Sequence, residues 1–76
     1  MKIEVLGTGC AKCETLLEVV KEALAKKGGF HSVQKVEDIQ KIMDYEVIST
    51  PALVIDGKVV STGKVLTVDE AFALMD

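Results

Sequence analysis

Aromatic residues are scarce in this sequence: one Tyr, two Phe and no Trp among 76 residues. A core organised around large rings is therefore excluded. With 49% of the residues apolar, the core has to be Leu, Ile, Val and Ala packed between secondary-structure layers. Long apolar runs are also missing. The longest, such as "PALVI", are far too short to span a bilayer, and "MKIEVL" at the start has no signal-peptide core. The expectation is a soluble, cytoplasmic protein with no membrane partner. Positive charge is neither abundant nor clustered: nine Lys and Arg stand against twelve Asp and Glu, for a net charge of −3. Nothing here suits a phosphate backbone, so nucleic-acid binding is not expected. Repeats, linkers and low-complexity segments are absent, and 76 residues cannot build two cores, which leaves one domain over residues 1–76, read as a monomer. Two cysteines cannot form the disulfide framework of a small secreted protein.

What the chain does contain falls into alternating patterns. "KIEVL", residues 2–6, has the alternation and β-branching of a short strand, ended by the glycines of "GTG". From Cys13 onward, Leu16, Leu17, Val20, Ala23 and Leu24 recur at helical spacing, and Gly28 and Gly29 stop the helix. Residues 30–37 ("FHSVQKVE") read as a second strand. Asp38 caps a short helix that places Ile39, Ile42 and Met43 on one side. "PALVIDGKVVS" is a hairpin turning at Asp56-Gly57, its first strand buried on both faces. Thr67 and Glu70 form a capping box on a last helix whose inner stripe is Val68, Ala71, Phe72 and Met75. The order β-α-β-α-β-β-α predicts an α/β fold with a four-stranded mixed sheet flanked by helices.

The chemistry concentrates in "GTGCAKC", residues 7–13. Cysteines at i and i+3 near a helix start bring their sulfurs together, which permits either a reversible disulfide or two ligands to one metal ion. Cys10, at or just before the first turn, meets unpaired N–H groups and the positive end of the helix dipole, with Lys12 adding a cation. Its thiol pKa is expected below the ordinary ~8.5. Lys12 and Gly9 are the candidates to tune it. Cys13, one turn in and in line with Leu16, Leu17 and Val20, is expected to be buried. That asymmetry suits dithiol exchange, with Cys10 as nucleophile and Cys13 as resolving thiol. The competing reading is a module that binds Cu(I) or Zn(II) through the same pair, or senses redox state without turnover. Structural zinc would find only Cys10, Cys13 and the distant His31 in one chain, short of a dimer sharing four thiolates. His31 itself reads as a surface histidine, and Glu4 as a sheet-edge or surface carboxylate unless it approaches the sulfurs.

Two resemblances bear on this choice. The stretch "KIEVLGTGCAKCETLLEVVKEAL" is similar to the start of heavy-metal-associated domains of copper chaperones. Those domains run β-α-β-β-α-β, however, and carry Met-x-Cys where this chain has Gly9 before Cys10. "YEVISTPALVIDGKVVSTGKVLTVDEAFALM", from Tyr45 onward, resembles the second half of thioredoxins and glutaredoxins. Together with Cys10 and Cys13 it spans essentially the whole chain and points to the very small thioredoxin-like redox-active disulfide proteins. That resemblance implies a minimal thioredoxin-like fold, a cis bond before Pro51, and a substrate groove shaped by Thr50 and Pro51. It also implies disulfide-containing protein substrates, a thiol/disulfide reductase as electron donor, and no bound cofactor or metal. The Trp and Gly-Pro of a typical thioredoxin site are replaced by Gly9 and Ala11-Lys12. Of the glutaredoxin Gly-Gly-Asp pattern only Gly63 is present, so the sequence does not assign glutathione as a ligand.

Overall fold

The computed structural model describes residues 1–8, 11–29 and 31–75. Its elements are β1 (Lys2–Leu6), α1 (Ala11–Lys27), β2 (Ser32–Val36), α2 (Ile39–Asp44), β3 (Ala52–Ile55), β4 (Lys58–Thr62) and α3 (Val68–Leu74). The sheet order is β2-β1-β3-β4. β1 pairs parallel with β2, and β1–β3 and β3–β4 pair antiparallel. This is the mixed α/β architecture of a minimal thioredoxin-like fold. Phe30, at the start of the predicted second strand, lies outside the described residues, and β2 begins at Ser32.

Strand alternation divides the core between the two faces of the sheet. Ile3 and Val5 of β1 and Leu53 of β3 pack with Leu16, Val20 and Ala23 of α1 and with Ala71 and Met75 beside α3. Leu6, Ala52 and Val54 point the other way, onto Val36 and Ile42 of α2. β2 follows the same rule: Lys35, on the α1 side, donates a hydrogen bond to Glu14 of α1 and lies 3.4 Å from Glu37. The bond to Glu14, more than any other influence, raises the pKa of Lys35. The four strand residues Ala52–Ile55 are buried or nearly so, as a strand covered on both faces must be.

Local signals place the element ends. Asp56 (φ 51°) and Gly57 (φ 81°) both take the positive φ that a two-residue hairpin turn requires. Asp38 Oδ1 accepts the Gln40 N–H at 2.9 Å to cap α2. Thr67 Oγ1 accepts the Glu70 N–H at 3.1 Å, and Glu70 Oε1 accepts the Thr67 N–H at 2.9 Å, closing the capping box of α3. The bond from the Thr67 N–H, with the Thr67 hydroxyl and the Lys64 charge adding to it, holds the Glu70 carboxyl below its ordinary pKa. After α1, His31 is half-buried and its Nε2 donates to the Gly28 carbonyl at 2.8 Å. It closes a turn.

Two expected stripes are narrower than the sequence suggested. Ile39 and Met43 are 63% and 62% exposed, and of the six residues of α2 only Ile42 is buried. So short a helix turns a single position onto the sheet, and i±3 and i+1 neighbours rotate away from it. On α3, Ala71 and Met75 are buried and Val68 packs against them, whereas Phe72 remains 38% exposed. Among the described residues no helix is long and apolar enough to cross a membrane.

Candidate functional site

Cys13 is the third residue of α1, within its first turn, and is fully buried. Its placement follows from the register of the helix: with Leu16, Val20 and Ala23 it occupies the stripe that faces the sheet. The chain reaches this point from β1 through Gly7, and Gly7 makes room for the sulfur. A Cβ on Gly7 would overlap the Cys13 Sγ, while standing 3.1 Å from the Cys13 Cβ and 3.9 Å from the Thr50 Cβ. Gly7 is also held in place, because its N–H donates to the Val36 carbonyl at 3.0 Å and extends the β1–β2 ladder. Thus the end of β1, the second cysteine and Thr50 converge on one point.

The segment that carries Thr50 is fixed from both sides. Glu46 turns the chain after α2 with φ 60°, and the half-buried Val47 joins the cluster on the α2 side. The Thr50–Pro51 peptide bond is cis and Pro51 is fully buried. The Pro51 carbonyl accepts the Gly63 N–H at 2.9 Å. A Cβ on Gly63 (φ 71°) would come within 3.0 Å of the Ser49 Cβ, so this glycine lets the loop lie against the end of β4. Lys12 is exposed at the second position of α1. Gly9 and Cys10, the predicted tuning glycine and nucleophile, lie outside the described residues.

Sequence reasoning missed Gly7. It reads naturally as one of the glycines that end β1, and the contact that demands glycine there comes from a helix six residues downstream. The one local signal is that Gly7 opens "GTGCAKC", three residues before the first cysteine. Gly63 carries a similar lesson, since its role is to seat the loop before β3.

Glu4 is neither an edge nor a surface carboxylate. β1 is a central strand, and Glu4 is only 7% exposed. It shares the face of Leu6 and Val54, toward α2, because α1 packs against Ile3 and Val5. Its Oε1 accepts a hydrogen bond of 2.8 Å from the Tyr45 hydroxyl. With Lys2, Lys41, Asp44 and Tyr45 it lines a pocket of about 320 Å³, and Cys13, Gly7 and Thr50 are not among those lining residues. Tyr45 has two functions: its backbone N–H closes the C-terminus of α2, and its phenol satisfies the buried carboxylate.

The hydrogen bond to Glu4 is the main reason the Tyr45 pKa is raised, with desolvation and the Glu4 charge adding to it. The protonated phenol is the form that fits beside a carboxylate. Its stabilisation is whole below the ordinary tyrosine pKa of about 10 and is lost as pH rises through the higher folded value. Tyr45→Phe is therefore expected to unfold at lower urea than wild type at pH 7, with the gap closing above about pH 10. Paired urea titrations across that range check this, and a gap independent of pH would contradict it.

Among the described residues no three His, Cys, Asp or Glu side chains gather to hold a metal ion. A soft metal on this chain would depend on the Cys10–Cys13 pair. The comparisons with known proteins bear on the whole chain. A thioredoxin-domain family model matches residues 1–76. The thioredoxin of Methanothermobacter thermautotrophicus is 31% identical over 70 residues, covering 92% of this chain and 91% of that protein. That of Methanocaldococcus jannaschii is 37% identical over 68 residues, covering 90% of this chain and 78% of that protein.

Proposed function

Because the chain belongs to the thioredoxin family, we propose that it is a thiol–disulfide oxidoreductase that reduces protein disulfides through Cys10 and Cys13. The observation that carries this reading is the setting of Cys13: a sulfur with no solvent exposure, abutting Gly7 and close to Thr50. A thiol so placed is poorly suited to attack a disulfide on another protein and well suited to attack a sulfur bound to its neighbour at i−3.

The reaction follows in two steps. The Cys10 thiolate attacks one sulfur of the substrate disulfide; an S–S bond forms at Cys10, and the substrate's other sulfur leaves as a thiolate and takes a proton. The Cys13 thiolate then attacks the Cys10 sulfur, forming the intramolecular disulfide and releasing the second substrate sulfur, which is also protonated. Two electrons pass to the substrate, and the protein is left oxidised. A dithiol or a thiol/disulfide reductase returns the pair to its reduced form. Lys12 and Gly9 tune the Cys10 thiol, while Thr50 and Pro51 shape the groove in which the substrate chain lies. The partners are disulfide-containing proteins and a reductase, in a reducing compartment such as the cytoplasm.

Reduction of the interchain disulfides of insulin tests this reading, with dithiothreitol as the terminal reductant. Catalytic amounts of the protein are expected to accelerate reduction well beyond the dithiothreitol rate. A rate no higher than that of dithiothreitol alone would overturn the proposal.

A further inference from the structure

The β3–β4 hairpin is irregular. Leu53 pairs with Ser61 and Val54 with Val59, so Val60 is one residue too many on β4 and forms a β-bulge. In a regular strand Val60 and Ser61 would point to opposite faces of the sheet. Here Val60 packs with the cluster under α1 and α3, and Ser61, opposite Leu53 of that same cluster, stands on the same face. Both line a cavity of about 340 Å³ between β4 and α3, walled by Leu66, Ala73 and Leu74. Cys13, Gly7 and Thr50 are not among its lining residues.

Polar groups in this cavity are few. Ser61 Oγ is buried and has no hydrogen-bond partner among the described residues, a costly state for a hydroxyl. Lys64 and Glu70 complete the lining, with exposed side chains 3.9 Å apart whose charges offset one another. We propose that the cavity binds a small uncharged molecule with an apolar body and one hydroxyl or carbonyl group, which hydrogen-bonds Ser61 Oγ. The volume lies at the lower end of the ~300–1,000 Å³ of ligand pockets, so the ligand is small. A purely apolar molecule leaves the serine unpaired. An ionised one must give up its water, and the Lys64–Glu70 pair presents neither sign of charge unopposed. The bulge is what brings the serine into an otherwise apolar site, and re-aiming a side chain is a recurrent use of bulges.

Titration of isotope-labelled protein, followed by amide chemical shifts, tests this with three probes of similar size: benzyl alcohol, toluene and benzoate. Benzyl alcohol is expected to give saturable shifts centred on Val60, Ser61, Leu66 and Leu74. Its affinity should exceed that for toluene or benzoate about fivefold, as one net hydrogen bond implies. Ser61→Ala is expected to remove the preference for benzyl alcohol over toluene, with toluene binding itself changed less than about twofold because it makes no bond to the serine. Ala73→Leu, which fills the cavity from an exposed helix position, should abolish the binding of both. No saturable shift with any probe, shifts spread over the whole chain, equal affinity for all three probes, or a preference that survives Ser61→Ala would overturn the proposal.

Discussion

Gly7→Ala is expected to destabilise the protein by about 1–3 kcal/mol, the usual range for forcing an extra methyl into a packed interior. For a domain of this size that is a fall in melting temperature of roughly 5–20 °C. The added Cβ would overlap the Cys13 sulfur, and the backbone has little freedom to retreat, since the Gly7 N–H is committed to the Val36 carbonyl at 3.0 Å. Strain must be relieved by moving the first turn of α1 or turning the Cys13 side chain, either of which shifts the sulfur. Thermal unfolding of the single variants and of Gly7→Ala/Cys13→Ala separates the cause from general intolerance. With the sulfur removed, alanine at position 7 should cost markedly less than in wild type, a coupling of the size seen between residues in contact. A Gly7→Ala protein as stable as wild type, or costs that simply add in the double variant, would show that the contact with the sulfur is not what requires glycine.

Much of this architecture is legible in the sequence because its signals are local. The Thr67–Glu70 capping box, the Asp56-Gly57 turn and the Asp38 cap depend on residues within a few positions of one another, and each appears in the structure where the sequence places it. The burial of Cys13 is legible for a related reason. Its helical register with Leu16 and Val20 fixes its face before any tertiary contact is known. What escapes the sequence depends on pairings distant along the chain. Alternation in "KIEVL" puts Glu4 opposite Ile3 and Val5, yet only the strand order shows β1 to be central and Glu4 consequently buried against Tyr45, 41 residues away. The exposure of Ile39 and Met43 depends on how α2 crosses the sheet. Ile48 looks like ordinary strand-forming material in "YEVISTP", and its exposure follows from a loop anchored at Val47 and at Pro51.

Loss of Cys13 is expected to have the largest effect on activity. In the proposed mechanism the Cys13 sulfur attacks the mixed disulfide from within the same chain, so it acts at an effective concentration far above that of any thiol in solution. Oriented intramolecular groups reach effective molarities of about 10⁵–10⁸ M. Millimolar dithiothreitol is a poor substitute, and even a modest share of that advantage implies that resolution slows by more than about a thousandfold. Attack by Cys10 is untouched, so the covalent intermediate should accumulate. Cys13→Ser is the natural variant, although it buries a hydroxyl where a sulfur sat. Cys13→Ala, which introduces no new polar group to satisfy, guards against a loss that reflects folding alone.

The measurement that bears most directly on the mechanism is non-reducing mass spectrometry of Cys13→Ser and Cys13→Ala after exposure to insulin without dithiothreitol. The account expects a one-to-one mixed disulfide whose protein-side sulfur maps to Cys10 and which dithiothreitol releases. No covalent adduct with either folded variant, together with insulin reduction at the wild-type rate in the recycling assay, would contradict it.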